Sequence, residues 1–469
     1  MYPESTNLSF EILFKSLKAK SYDLRQEPIE ERKIRLLRLK QWLHTNLNRL
    51  NEAAYADLRK PEIEFNAIEI LHVFNEIKVA LKHLDQWTRP KLVDAHIEML
   101  GTRSEICFEP RGVCLVISPW NYPFSLSVGP LVSAIAAGNC VVLKPSELAP
   151  HISSEIRRMV KEVFDPAVVV AIVSDAEVSK ELLKLPFDHI FFTGSSHVGK
   201  LVMKAAAENL TSVTLELGGK SPAIVTTTAR IKEAAQRIVV SKFVNAGQTC
   251  VAPDYVLVDE KIADTFISQL ISFIKYHFAD KSTFTKNINQ DHFNRLNDLV
   301  EDALEKGASI TYSEECNPTT LSFFPLLLTS IPPNSRIMEE EIFGPVLPVV
   351  TYSKLEEAIV QINTQPKPLG LYLFSQSGKE KKIVLDRTSS GGVCVNDCAI
   401  QFLHHGLPFG GVNSSGIGKS HGHAGFLAFS NEKSILRQSN GLTVAKFLYP
   451  PYKLLTKKLL NIFIKVFHR

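Results

Sequence analysis

Cysteine is scarce in this 469-residue chain: seven residues, at positions 107, 114, 140, 250, 316, 394 and 398, an odd number scattered over the whole length. That excludes a disulfide framework and points to a reducing compartment. Cys394-x-x-x-Cys398 has half the look of a metal site. No second Cys/His pair accompanies it, so no metal is expected and the two read as small residues near a strand end. Met1–Phe10 carries Glu4 and lacks a basic-then-apolar start, so no signal peptide is expected. Ser125–Leu143 is uncharged, almost a membrane span by length, but it holds Gly129, Pro130, Gly138 and Asn139 and ends in Val141-Val142-Leu143. A buried helix followed by a buried strand is the expectation there.

A general basic surface is missing too. The formal charge is +4, yet Gly441–Arg469 holds six Lys or Arg and no Asp or Glu, leaving +4 − 6 = −2 for the rest. Nucleic acid is therefore not an expected partner, and any attraction to an anionic surface is concentrated in the tail. Neither G-x-G-x-x-G nor a complete Walker motif G-x-x-x-x-G-K-[ST] occurs.

What is present is an ordinary globular composition, 45% apolar and 22% charged, on a chain long enough for two or three domains. From about Glu11 to Trp87 the pattern is helical, with Leu36, Leu37, Leu39, Trp42 and Leu43 as one apolar stripe. Short apolar runs then appear at Gly112–Ser118, Cys140–Lys144, Val168–Ser174, His189–Thr193 and Val213–Leu217, mostly separated by helical stretches. This alternation predicts an α/β fold with a doubly wound parallel sheet. A second α/β set, with runs at Tyr255–Val258, Leu347–Val350, Leu371–Phe374 and Gly392–Val395, follows the crossing point Leu217-Gly218-Gly219. Lys91–Glu109 and Phe429–Gln438 lie outside both sets and are expected to pair as a small β arm.

Five blocks have the residue types of a reaction centre or of the ligand site beside it. In Asn245-Ala246-Gly247-Gln248-Thr249-Cys250, a glycine precedes a cysteine whose backbone N–H groups suit an oxyanion. A free thiol has a pKa of about 8.5, so a nucleophilic role needs local help, and a structural cysteine is the bland alternative. Glu216, in Leu215-Glu216-Leu217-Gly218-Gly219, ends an apolar strand where an ionised carboxylate is costly. It reads either as a general base with a raised pKa or as a partner of Lys220. Asn121, in Ser118-Pro119-Trp120-Asn121-Tyr122-Pro123, is a rigidly held amide donor or a turn residue. Lys144-Pro145-Ser146-Glu147 and Thr193-Gly194-Ser195-Ser196-His197-Val198-Gly199-Lys200 each follow a strand, where open α/β sheets bind ligands. Gly194 and Gly199 would free a helix N-terminus for a pyrophosphate.

Taken with Glu341-Ile342-Phe343-Gly344-Pro345 and Leu407-Pro408-Phe409-Gly410-Gly411, these blocks resemble the aldehyde dehydrogenase superfamily in order and spacing over roughly residues 110–429. The wording around Cys250, together with Tyr449-Pro450-Pro451, is most similar to the short-form class 3 and fatty-aldehyde branch. The resemblance implies oxidation of medium- or long-chain aliphatic, or aromatic, aldehydes to carboxylic acids through a covalent thiohemiacetal and thioester. It gives Cys250 the role of nucleophile, Asn121 that of oxyanion donor and Glu216 that of water-activating base. For the cofactor it implies Trp120, Lys144, Ser146, Glu147, Gly194, Ser195, Gly199, Leu217, Gly218, Glu341 and Phe343. Glu147 favours NAD, since a carboxylate repels a 2′-phosphate, but the branch often accepts NADP as well. A CoA-acylating dehydrogenase and a non-catalytic scaffold on the same fold are the two alternatives.

The implied organisation is a cofactor domain from 1–90 and 107–216, rejoined by 411–425, and a catalytic domain over 217–410. An oligomerisation arm from 91–106 and 426–445 implies a homodimer, and a tail over 446–469 completes the chain. Three departures stand out: Asn413 where the family usually has Gly, Ser420 where the branch usually has Tyr, and Thr226-Thr227-Thr228-Ala229 in place of an acidic stretch. In the tail, Lys453, Lys457, Lys458, Asn461, Lys465, His468 and Arg469 share one side of a helix. Leu455, Leu459, Leu460, Ile462, Phe463, Val466 and Phe467 share the other. Such a helix suits peripheral contact with a membrane surface by a cytoplasmic protein, or a cover for its own substrate funnel or a partner subunit.

Overall fold

Helices Asn7–Leu24, Ile29–Thr45, Leu47–Leu58 and Leu71–Trp87 open the chain. The computed structural model describes residues 7–94, 96, 99, 101–440, 444, 446 and 449–467. The expected stripe needs one correction. Leu36, Leu39, Trp42 and Leu43 are buried, whereas Leu37 is 50% exposed. At 100° per residue it points well away from the line joining the other four.

In chain order, the short strand β1 (Lys91–Val93) and the long β2 (Thr102–Pro110) come first. Then follow β3 (Val113–Ile117), β4 (Cys140–Lys144), β5 (Val169–Ala171), β6 (His189–Gly194) and β7 (Ser212–Leu217). The next set is β8 (Pro222–Val225), β9 (Tyr255–Asp259), β10 (Ser309–Tyr312), β11 (Leu326–Thr329), β12 (Val346–Tyr352), β13 (Gly370–Phe374) and β14 (Gly392–Val395). The two-residue β15 (Gly416–Ile417) and β16 (Ser430–Gln438) complete it. Every apolar run singled out in the sequence contains a strand. The run at Val168–Ser174 yields only the short β5, because β5 is an edge strand with one neighbour to hold it. β8, β10 and β11 carried no comparable signal; β8 opens on Pro222, which hides its strand character.

One sheet has the order β15-β7-β6-β3-β4-β5, with β15 alone antiparallel. The chain runs outward from β3 through β4 to β5, then returns to β3's other side for β6 and β7. The direction reverses between β3 and β6, and the crevice at the carboxyl ends of those strands is where such sheets take ligands. The second sheet has the order β10-β11-β12-β9-β8-β13-β14 and is parallel except for β10. Both are covered by helices, which explains why their inner strands are largely apolar: β3, β4, β8 and β13 are buried at every position.

The segment Ser125–Leu143 is a buried helix (Ser125–Ala137) and then β4, as expected. The third sheet, β1-β2-β16, is antiparallel, with Ser430–Gln438 paired along the whole of Thr102–Pro110. The tail forms an exposed helix, Leu454–Phe467; His468 and Arg469 lie outside the described residues.

Candidate active site

Cys250 sits in a tightly turned loop. Three successive residues before it, Asn245, Ala246 and Gly247, have left-handed backbone (φ 54°, 51° and 71°). For Asn245 and Ala246 such geometry costs of order 1–3 kcal/mol each and persists only where the surroundings over-determine it. They do. Asn245 Nδ2 donates to Asn121 O (3.0 Å) and Gln248 O (3.1 Å), and Gln248 Nε2 donates to Asn245 O and Lys286 O. Gly247 is required because a Cβ there would collide with the Gly344 carbonyl.

The loop after β3 is tied to this one. Asn121 Nδ2 donates to Gln248 O at 2.9 Å, and Tyr122 Oη bonds Thr249 Oγ1 at 2.7 Å. An amide carries two N–H donors, so one remains for a ligand. The Asn121 backbone is fixed from below by Lys60, whose ammonium donates to Asn121 O (2.8 Å) and Glu69 Oε1 (2.9 Å). The other Glu69 oxygen accepts from Phe124 N and Ser125 N at the start of the helix Ser125–Ala137. Lys60 and Glu69 are fully buried and went unnoticed in the sequence. Lys60 lies in the short loop after the helix Leu47–Leu58 and Glu69 in the helical stretch that follows, and only the fold brings them under Asn121.

Glu216 is buried at the end of β7, opposite Gly416 of β15. The alternative that paired it with Lys220 is corrected. Lys220 pairs with Asp254 and donates to Ile337 O and Glu340 O, while Glu216 accepts a hydrogen bond from Ser420. Burial pushes the Glu216 carboxyl up to about 7; the Ser420 hydroxyl and the Lys419 ammonium pull against it, and Glu76 adds to it.

Cys250 is half-buried and free. Burial, then the carboxylates of Glu341 and Glu216, push its thiol far up, although the backbone N–H groups of Cys250 and Val251 favour the thiolate. The resting sulfur is therefore a thiol. The electrostatic help a nucleophile needs is not built into the resting site, and the two carboxylates oppose it. Glu341 packs on Gly218 so closely that a Cβ there would overlap its carboxylate. Burial and Asp254 raise it to about 8, against the Gly219 N–H.

Most of the remaining cofactor candidates lie at or just after the carboxyl ends of β3, β4 and β6. Lys144 is buried at the end of β4 and donates to the exposed Glu147 at 2.6 Å; Ser146 Oγ accepts from Leu148 N. Ser195 caps the helix Ser196–Glu208, accepting from Val198 N at 3.3 Å. A Cβ at Gly199 would meet Leu217 at 2.7 Å, so this glycine brings the helix onto β7, and one at Gly194 would meet the Phe192 ring. Trp120 meets Phe343 edge-on at 5.5 Å. A nicotinamide dinucleotide fits these residues on structural grounds. The helix that begins just after β6 presents its N-terminus there, and the Thr193 hydroxyl near the end of that strand is buried without a partner.

Of the departures, Asn413 adopts φ 54°, a left-handed conformation that asparagine tolerates better than most residues, and its side chain accepts from Lys367. Thr226 and Thr228 bond one another, and Thr228 also bonds Ser375 and Glu380. A cavity of about 850 Å³ lined by Trp87, Arg111, Thr214, Lys419, His421 and His423 lies beside the segment carrying Ser420, but Cys250 does not line it.

Residues 2–435 match the family described as Aldehyde dehydrogenase family. The 4,4'-diaponeurosporen-aldehyde dehydrogenase of Staphylococcus aureus is 42% identical over 91% of this chain and 93% of its own. Aldehyde dehydrogenase family 3 member A2 of Rattus norvegicus is 38% identical over 91% and 88%. A solved structure, the substrate-bound state of Staphylococcus aureus AldH, superposes with a TM-score of 0.92 at 41% identity, covering 97% of this chain and 99% of that one. With its two parallel sheets and the loops they carry, the chain belongs to the aldehyde dehydrogenase family, on the class 3 branch, and is an oxidoreductase that oxidises aldehydes.

Proposed function

We propose that the enzyme converts medium- or long-chain aliphatic, or aromatic, aldehydes to carboxylic acids by covalent catalysis at Cys250. The observation that carries this reading is the bond from Asn121 Nδ2 to Gln248 O, which joins the amide to the cysteine loop across 127 residues of sequence. The Cys250 thiol gives up its proton to water as Sγ adds to the aldehyde carbonyl. The second Asn121 N–H and the Cys250 backbone N–H then receive the developing oxyanion, a term worth about 3 kcal/mol per donor. The family uses NAD(P); when bound, it would accept a hydride from the carbon that Cys250 has attacked, and the acyl group would then remain on Cys250 as a thioester. Glu216 removes a proton from the water that attacks this thioester, the C–S bond breaks, and the acid departs. A carboxyl titrating near 7 is suited to that task at neutral pH.

In this reading Lys144 and Glu147 hold the adenosine ribose, and Ser146 supports that loop. Gly194, Ser195 and Gly199 receive the pyrophosphate. Trp120, Leu217, Gly218, Glu341 and Phe343 shape the nicotinamide end. The exposed Glu147 favours NAD over NADP. Residues 1–90 and 107–216, rejoined by 411–425, serve the cofactor, and 217–410 the chemistry. The β1-β2-β16 sheet (91–106 with 426–445) is the homodimer arm, its β1 exposed at every position. For the tail (446–469) we favour peripheral contact with an anionic membrane. The described residues include no helix long and apolar enough to cross one, but Leu454, Leu455, Ile462 and Ile464 are each more than half exposed.

The Cys250→Ala variant is expected to lose aldehyde oxidation while binding NAD as the wild type does. Retention of full activity would overturn the reading.

A further inference from the structure

Glu216 must do two things that burial makes difficult: stay ionised long enough to take a proton, and face the right way when it does. The strand it ends, β7, has β15 on its outer edge, with Gly416 opposite Glu216. Around β15 the chain forms a tight loop. Gly410, Gly416 and Gly418 all take positive φ (150°, 150° and 83°), and Phe409 and Ser420 close it as an antiparallel bridge, with Ser420 N donating to Phe409 O at 2.7 Å and Phe409 N to Ser420 O at 3.1 Å. The Ser420 side chain is buried, and its hydroxyl donates to Glu216 Oε1.

The other charged groups around Glu216 are committed elsewhere. Lys419 Nζ donates to the carbonyls of Gly391, Gly410 and Gly411. Glu76, on the helix Leu71–Trp87, accepts from Gly422 N and lies 2.6 Å from His405 Nδ1. The Cys250 thiol interacts with Glu216 through space. Lys419 and Glu76 thus bear on the charge of Glu216 without fixing its direction. A hydroxyl on a backbone pinned at both N–H and C=O does fix it.

We propose that Ser420 is the positioning residue of the Glu216 base, its hydroxyl holding the carboxylate in one orientation while the thioester on Cys250 is hydrolysed. This rests on the reading of Glu216 as the water-activating base. The tyrosine usual at this position in the branch cannot substitute for it in place: a phenol oxygen stands far beyond the reach of a serine Oγ from the same backbone. The role therefore belongs to this chain's own sequence.

The step can be isolated without cofactor. p-Nitrophenyl acetate transfers its acetyl group to Cys250 Sγ and releases p-nitrophenolate. Water then cleaves the thioester, its proton going to Glu216, and acetic acid and the free thiol result. With enzyme in excess, acylation is read from nitrophenolate absorbance and deacylation from the mass of the quenched protein, at pH values from about 5.5 to 9. Ser420→Ala is expected to acylate like the wild type but to deacylate about tenfold more slowly at pH 7, the size of one charge-assisted hydrogen bond. Its deacylation midpoint should move to higher pH, because the hydroxyl favours the ionised carboxylate. Ser420→Thr, which keeps the hydroxyl, should restore both. Wild-type deacylation and midpoint in Ser420→Ala, alongside slow deacylation in Glu216→Gln, would overturn the positioning role and leave the base in place. So would a folded Ser420→Thr that rescues neither. Wild-type deacylation in Glu216→Gln would instead remove the base itself, and this proposal with it.

Discussion

The Glu216→Gln substitution separates the energetic cost of the buried carboxyl from its chemistry. Glutamine keeps the shape and the oxygen that accepts from Ser420, and removes only the titration. Burial raises Glu216 from 4.5 to about 7. The folded state therefore holds this proton more tightly than the unfolded chain. The stability that follows is fully present below about pH 4.5 and is lost as pH rises to about 7. At 1.36 kcal/mol for each pH unit the loss is about 3 kcal/mol, an order-of-magnitude figure. Glutamine suffers no such loss. The variant should match the wild type near pH 5 and exceed it near pH 8.5, where thermal melting should occur roughly 3 °C higher. The assay is differential scanning fluorimetry of both proteins across that range without cofactor. A melting difference that does not change with pH, or a variant less stable than the wild type at pH 8.5, would refute the claim that Glu216 is buried against its charge.

Other perturbations follow from the same geometry. Lys60→Met leaves Glu69 charged and unpaired in the core, so it should cost about 3–5 kcal/mol in chemical denaturation; a loss below about 1 kcal/mol would contradict the pairing. In Gly218→Ala the added methyl displaces Glu341, and kcat/KM for aldehyde oxidation should fall about a hundredfold with the fold intact by circular dichroism. Removing residues 452–469 should abolish sedimentation with anionic vesicles while sparing activity on a water-soluble aldehyde, and equal sedimentation of both forms would end the membrane reading.

Much of the fold was legible because the inner strands of the two parallel sheets are buried on both faces and so are largely apolar along their length. Cys140–Lys144 and Leu371–Phe374 could be read directly for that reason. β10 could not: Ser309–Tyr312 is an edge strand with exposed, mixed side chains. Leu37 was misplaced because a run of leucines does not by itself say which ones face inward.

For the site, motif order alone marked Cys250, Asn121, Glu216 and the cofactor crevice, since strand ends and glycines announce where a backbone must approach a ligand. The partners were invisible. Lys60 holds Asn121 from 61 residues away, and Ser420 holds Glu216 from 204. Serine and lysine are common, and nothing local distinguishes these two. The sequence by itself determined the candidate reacting groups and the sheets that present them, because covalent chemistry and burial each demand particular residue types. Only the tertiary structure decided how those groups are tuned. The raised carboxyls, the protonated resting thiol and the hydroxyl on Glu216 depend on distance and on exclusion of water, and neither is written in local order.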